Sequence, residues 1–510
     1  MFGFFKFFYN ITNRQAIIII FIMASFLSIN SFIILNHNKF YSYLSEDVAC
    51  IVDMSKSFIT EYELVNNIQD YNWKDAINLL KTYWKPPAFF VFSVPLFLTI
   101  DNINLFLSVI NFLFCFFTLF SIYGIVKKFH SINAGLFACS ILSFCPLFFV
   151  MHRTFFIEIL LMTSVSFILY IIVRNKFDNI YWNVLFTITL TVALLTKEQT
   201  FIYYPVFLLF IIINKENYKN IRRFVGIILS FLCSYICSYF LWYKYNAPNI
   251  FQHLLNFAKD SINDDYLYYL KSLCLFDFSP IVFVLFVISI IYFLSKKKHI
   301  HIVFSFVFIL FIFSLSENRV SRHIFPLLIF APILISLFIF QIRDVYIKKM
   351  IVFFVFFILF LQFVTINFLN FKYFINGNFY DYNFFKGVTY YDYTSKMQTY
   401  KQQYEYLKSI LGENFERKTA FVQFFPPQAY NFLIFQQNRK SDICKIFLYD
   451  EIINMKENII NYDNVIISDR NENKFYNIEK ILLEFSFEKK QEINIYNHDD
   501  NKVWLYTRKN

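Results

Sequence analysis

Glycine is scarce. The chain has seven glycines in 510 residues, and none falls into a G-x-G-x-x-G or P-loop spacing. That excludes the Gly-rich cradles with which soluble folds hold nucleotide phosphates. Charge is scarce too, at 16% of residues, against about 25% in an ordinary soluble protein. The eight cysteines (Cys50, Cys115, Cys139, Cys145, Cys233, Cys237, Cys274 and Cys444) are scattered, and no spacing suggests a metal site. Cys233 and Cys237 share a helical face, where they read as small packing residues. The formal charge of +11 sits mostly in short loops, so it follows from topology and gives no support for a nucleic-acid partner. No cleavable signal peptide is expected. The first apolar stretch, about Gln15 to Leu35, has the length of a full span and no small-residue cleavage site, so it reads as an anchor.

What is present is apolar length. Hydrophobic residues make up 57% of the chain, with 74 phenylalanines. Long apolar segments recur at 15–36, 103–126, 133–151, 155–174, 179–195, 200–214, 222–243, 279–295, 300–316, 323–341 and 350–370. A span needs roughly 20 residues, so these predict a polytopic α-helical membrane protein of about 11 spans. The basic loops are Lys127-Lys128, Arg174 to Lys176, Lys215 to Arg223, Lys296 to Lys298 and Arg343 to Lys349. With Lys6 and Arg14 they all fall on one side, the cytoplasmic one, provided that residues 87–100 do not cross. "WKPPAFFVFSVPLF" (84–97) then reads as a juxtamembrane helix. Its two prolines stand at the first turn, where a missing N–H costs little, and its Phe-rich body lies in the interface. The rival reading has twelve spans, with 87–100 as a short crossing.

Eleven spans give a multi-pass protein of the plasma (inner) membrane with a cytoplasmic N-terminus. The outer side holds a long first loop (37–100), the turns Met151–Glu158 and Thr196–Thr200, a loop from Lys244 to Ser279, the turn Ser316–His323, and the C-terminal part of the chain. The domains expected are 1–370 in the membrane and 371–510 as a small extracytoplasmic α/β domain. In the latter, "TAFVQFF" (419–425), "KIFLYD" (445–450) and "NVIISD" (464–469) read as buried strands. "PPQAYNFLIFQQN" and "EIINMKEN" read as helices, and "QEINIYNHDDNKVWLYTR" as a closing hairpin.

Four stretches on the outer side carry candidate chemistry. "SEDVACIVD" supplies Glu46, Asp47 and Asp53 just after the first span; a solvated helix capped by Ser45 is the plain alternative. "HRTFFIEILL" supplies Arg153 and Glu158. An ionisable residue at the start of a span is costly and therefore a functional candidate, or else half of an interfacial ion pair. "LLTKEQTFIYYP" places Lys197 and Glu198 in a turn with almost no loop, where a capped salt-bridged turn is the alternative. "SENRVSRHIFP" gathers Arg319, Arg322 and His323. Those cations, with Lys85, defy the inside bias. An anionic lipid phosphate explains them, as does interfacial snorkelling for any one alone. Carboxylates, cations and aromatic surface on one membrane face suit a phosphorylated lipid substrate, with a carboxylate as base.

In order and topology these pieces resemble the GT-C membrane glycosyltransferases, in particular the protein O-mannosyltransferase and lipid A aminoarabinose transferase branch. The likeness covers roughly residues 1–340. It implies transfer of a sugar from a polyprenyl-phosphate donor to a cell-envelope acceptor (glycolipid, polysaccharide or protein), usually with inversion and among membrane lipids. By position it makes Asp47 the base, with Glu46 beside it; the family order is Asp then Glu, here reversed. It gives Glu158 an acceptor-orienting or metal-binding role, so a divalent metal stays open and no other cofactor is implied. Lys85, Arg319 and Arg322 would bind the donor phosphate, and Arg153, Lys197 and Glu198 would orient substrate. The alternatives are a transporter or flippase of lipid-linked sugars, which would carry charges or broken helices nearer mid-membrane, and a polymerase or ligase of surface polysaccharide.

Overall fold

The computed structural model describes residues 11–36, 60, 63–82, 86–100, 102–152, 155–174, 177, 179–214, 220–246, 267–274, 278, 280–315, 321–364, 370–375, 378–383, 405–412, 418–422, 445–447, 461–468, 472–492 and 503–508. By contacts the chain divides into two units, a helical one and a smaller one that contains the C-terminal sheet. Each is described by itself.

The helical unit begins with α1 (Asn13–Asn36), α2 (Trp73–Thr82) and α3 (Ala88–Thr99). It continues with α4 (Ile103–Phe129), α5 (Ile132–Ser143), α6 (Pro146–Met151), α7 (Ile157–Arg174), α8 (Ile180–Leu194) and α9 (Thr200–Ile213). Next is α10 (Ile221–Ser238), which runs on through a π-turn, Tyr239–Tyr243. Then come α11 (Tyr268–Ser272), α12 (Pro280–Ser295), α13 (Ile300–Ser314), a 3-10 stretch (Ser321–Ile329), α14 (Phe330–Phe340) and α15 (Val345–Val364). All eleven predicted apolar segments are helical here. Six helices among the described residues are long and apolar enough to cross a membrane. In lipid every backbone N–H and C=O must be bonded internally, and a helix does so within one segment. The protein is a multi-pass helical membrane protein.

Polar residues mark the starts. Asn102, Ser131, Asn179 and Asn220 each accept a hydrogen bond from an N–H of the first turn that follows, and Asp344 does the same for Tyr346 and Ile347. Two predicted segments are interrupted, both at proline. The 133–151 segment breaks between Ser143 and Pro146, because Pro146 offers no N–H and its ring clashes with the preceding turn. The 323–341 segment opens as 3-10 helix around Pro326 before turning α at Phe330.

Burial sorts the helices. α7 and α14 are buried nearly all round and form the centre, with α4 packed on both and α5 on α14. α10 has the opposite character: Ile228, Leu229, Leu232, Ile236 and Phe240 are exposed apolar residues, the face that lipid covers. Its buried residues, Ile227, Ser230, Ser234 and Ser238, are mostly small, and α10 packs against α8. Ser230 Oγ donates to the Asn183 carbonyl of α8 at 3.3 Å. Small residues let backbones approach closely where lipid supplies no hydrophobic drive between helices.

α3 resolves the Lys-Pro-Pro segment. Pro87 stands at the N-cap, and twelve residues follow before the helix ends at Ile100. At 1.5 Å per residue that is about 18 Å, short of a hydrocarbon core of about 30 Å. Phe89, Phe90, Ser93 and Phe97 are buried while Val91, Phe92 and Leu98 are exposed, so the helix presents apolar surface on both sides.

In the smaller unit β1 (Asn370–Ile375) and β2 (Asn378–Asn383) pair antiparallel. Five strands form one sheet: β3 (Thr419–Val422), β4 (Lys445–Phe447), β5 (Asn464–Ser468), β6 (Phe487–Glu492) and β7 (Val503–Arg508), in the order β4-β3-β5-β7-β6. β3 pairs parallel with β4 and β5, and β7 runs antiparallel between β5 and β6. The three predicted strands are therefore present, and β6 and β7 pair as the arms of the closing hairpin, with β6 starting at Phe487; the predicted turn at 497–502 lies outside the described residues. The predicted helices at 426–438 and 451–458 lie outside the described residues. Not predicted were the β1–β2 hairpin and α16 (Glu472–Glu484), whose Phe475, Ile478 and Leu482 cover the sheet with Ala420, Val422, Val465, Ile467 and Tyr506.

Candidate active site

Glu158 lies in the first turn of α7 and is 3% exposed. Lys197 lies in the short turn between α8 and α9 and is 9% exposed. The Lys197 Nζ meets Glu158 Oε1 at 2.8 Å. Both helix dipoles favour the arrangement, since the carboxylate stands at the start of α7 and the ammonium just past the end of α8. Breaking one side of such a buried pair costs about 3–5 kcal/mol, because the other charge stays behind in low dielectric.

The turn is built by hydrogen bonds to the end of α8. The Thr196 and Lys197 N–H groups donate to the Ala193 carbonyl at 3.1 and 3.2 Å. Thr196 Oγ1 donates to Val192 at 2.7 Å and Thr200 Oγ1 to Ala193 at 2.6 Å. The Lys-Pro-Pro helix docks here as well: the Ala88 N–H donates to the Leu195 carbonyl at 2.8 Å. Its Phe89 ring lies 4.6 Å from that of Phe155, three residues before Glu158, and Phe155 lies 5.6 Å from Phe106 at the start of α4. Two stretches far apart in sequence, "KPPAFF" and "LTKEQ", thus meet beside the ion pair.

His152, between α6 and α7, is 3% exposed. Its Nδ1 lies 2.6 Å from the Phe148 carbonyl, which only accepts, so Nδ1 carries a proton. Asn111 Nδ2 of α4 donates to the His152 carbonyl at 2.9 Å. Glu198 is half-buried and enters no ion pair among the described residues. Of the predicted site residues the structure therefore joins Glu158 to Lys197, with Glu198 next in the same turn. Glu46, Asp47, Lys85, Arg153 and Arg319, and the Arg322 side chain, lie outside the described residues. Asn111, Tyr243 and Asn246 escape sequence reading, since nothing marks a polar residue inside an apolar run as a tertiary donor. Among the described residues no group of three or more His, Cys, Asp or Glu side chains could hold a metal ion.

Residues 85–243 match the family model described as dolichyl-phosphate-mannose-protein mannosyltransferase. That segment spans the Lys-Pro-Pro helix, Glu158, Lys197 and the π-turn. Over that segment the chain is similar to the mannosyltransferase family, and its fold is multi-pass and helical. Among solved structures, the chain is similar to ArnT from Cupriavidus metallidurans bound to undecaprenyl phosphate, with a TM-score of 0.59 and 11% identity over 99% of this chain and 98% of that one. It is also similar to the same protein in the apo state, with a TM-score of 0.56 and 11% identity over 93% and 97%. At that identity the likeness is one of fold. No curated protein sequence matches the chain.

Proposed function

We propose that the protein transfers a sugar, with inversion, from a polyprenyl-phosphate donor to a cell-envelope acceptor at the outer face of the membrane. The observation that carries this reading is the buried Glu158–Lys197 pair docked against the Lys-Pro-Pro helix inside the family-matched segment. An ionisable pair in a membrane-spanning bundle is expensive to keep, and here it sits where the mannosyltransferase likeness is found. The ArnT structure whose fold is similar was solved bound to undecaprenyl phosphate, a donor carrier of the proposed class.

In the proposed reaction, Asp47, with Glu46 beside it, takes the proton of the acceptor hydroxyl. The hydroxyl oxygen bonds to the anomeric carbon from the face opposite the phosphate. The bond from that carbon to the phosphate oxygen breaks, and polyprenyl phosphate leaves with the electron pair. Lys85, Arg319 and Arg322 offset the charge growing on the departing phosphate. Glu158, oriented by Lys197, and the neighbouring Arg153 and Glu198 position the acceptor. The cytoplasmic N-terminus and the boundary near residue 370 between membrane part and extracytoplasmic domain are parts of the same proposal.

The test is a transfer assay in liposomes, with labelled polyprenyl-phosphate sugars and crude envelope acceptors. Label should reach an acceptor with wild type and fall by about a hundredfold or more with Asp47→Asn, while expression and membrane insertion stay unchanged. Turnover like wild type in that variant removes Asp47 as base. Label that crosses the bilayer without being transferred replaces the enzyme reading by a transporter.

A further inference from the structure

The turn carrying Lys197 is not held by its own helices alone. The last carbonyls of a helix have no partner within it. At the end of α8, Val192 and Ala193 are served locally by Thr196 and Thr200. The next two are served from afar: Leu194 by the Tyr243 hydroxyl at 3.0 Å and Leu195 by the Ala88 N–H at 2.8 Å. Tyr243 closes the π-turn that extends α10. Three residues on, and so on the same side of that helix, Asn246 Nδ2 donates to the Lys81 carbonyl at 2.6 Å and to Trp242 at 3.3 Å. Lys81 is in the last turn of α2. The last turn of α2 is thus tied to Asn246, and the first residue of α3 to the Leu195 carbonyl.

Tyr243 is the last residue of the π-turn. A π-turn widens the helix by one residue locally and changes the phase of everything after it. The apolar stripe of α10 runs on through it at Phe240 and Leu241, while Trp242, Tyr243 and Asn246 are buried, and two of these donate to neighbouring backbone.

We propose that Tyr243 and Asn246 are positioning residues of the transferase: Tyr243 fixes the turn that sets Lys197 on Glu158, and Asn246 fixes the last turn of α2, where Lys81 precedes Lys85 by four residues in the sequence. The inference rests on the proposed function only for what Lys85 and Lys197 do.

Two nearly isosteric variants, Tyr243→Phe and Asn246→Leu, remove one donor each. Both would be compared with wild type in lipid nanodiscs by hydrogen–deuterium exchange and by titration with undecaprenyl phosphate. Tyr243→Phe should speed exchange at residues 195–201 about fivefold and leave 73–82 unchanged. Asn246→Leu should speed exchange at 78–91 by a similar factor, about what one lost tertiary hydrogen bond gives, and weaken undecaprenyl phosphate binding severalfold, with Tyr243→Phe binding like wild type. Asn246→Ser serves if the leucine variant does not fold. Exchange unchanged in both variants, or accelerated in the same segments by both, overturns the proposal. So does wild-type affinity in an Asn246 variant. If wild type itself binds no undecaprenyl phosphate, the donor reading above fails, and the exchange pattern still decides whether these two residues act as anchors.

Discussion

The two ends of the helical bundle treat charge differently. At the Lys197 end, a carboxylate and an ammonium are buried and bonded at 2.8 Å, and the backbone around them is fastened by the Thr200 and Tyr243 hydroxyls and the Ala88 N–H. At the other end, Lys296, Lys297 and Lys298 between α12 and α13 are exposed, as is Lys128 at the end of α4. There the tight packing is aromatic: the His299 ring lies 5.3 Å from Phe129 and 5.3 Å from Phe293. Exposed cations beside a membrane set orientation and add little to stability. A buried pair must be matched in geometry to persist at all. The contrast is one of burial: charge is matched and enclosed at the first end and left exposed at the second.

The largest effect expected from breaking that contrast is at the ion pair. Lys197→Met should destabilise the protein by about 3–5 kcal/mol, by stripping a buried carboxylate of its cation. Glu158→Gln should cost less, since the amide can still accept a bond from Lys197, and the double variant should recover much of the loss through non-additivity. Thermal unfolding in detergent reads the stabilities. Transfer activity should stay low in all three variants. A double variant as unstable as the sum of the singles would mean that the two charges do not act as a pair.

The next effect lies at the lysine-loop end. A Cβ on Gly135 would stand 2.9 Å from the Tyr123 carbonyl oxygen and 2.8 Å from its ring, where α5 turns back on α4. Backbone cannot give way as a flexible side chain can. Gly135→Ala should therefore cost about 1–3 kcal/mol by overpacking, read by the same unfolding experiment, with transfer activity per folded molecule unchanged. Substitution of Lys297, exposed on the same side, should shift stability by no more than about 0.5 kcal/mol.

The sequence made the helices legible because lipid imposes a single length and a single polarity on each span. Eleven apolar runs could be read as eleven helical segments, though the breaks at Pro146 and around Pro326 were not foreseen. The strands at Thr419, Lys445 and Asn464 were legible as short β-branched and aromatic runs. α16 could have been found too: Phe475, Ile478, Ile481 and Leu482 keep helical spacing amid polar residues, but the stretch "ENKFYNIEK" reads as a linker when charge is weighed before period. The site was legible only in part. Glu158 and Lys197 are conspicuous as charges beside apolar runs, yet nothing local says that residues 39 positions apart would pair. Tyr243 and Asn246 were beyond reach, because a π-turn leaves no mark in composition and their acceptors are main-chain carbonyls of other helices.

The smallest expected effect sharpens the comparison by pH. His299 is held below the usual imidazole pKa, first by burial and then by the charges of Lys298 and His130 nearby; the His301 ring is 6.2 Å away. His130 is lowered as well, by burial and by Lys348. A group with a depressed native pKa binds fewer protons folded than unfolded. Its stabilising contribution is complete above the unfolded value, about 6.5 for histidine, and is lost as pH falls through the folded value. The melting temperature should therefore drop between about pH 7.5 and pH 5, through this end of the bundle. His299 sits at φ +50°, a backbone region that asparagine tolerates well. His299→Asn should fold normally and flatten the pH dependence, while Lys197→Met should lower the whole curve without changing its slope. If His299→Asn keeps the full slope, the acid sensitivity belongs elsewhere, and the lysine-loop end is topological signal alone.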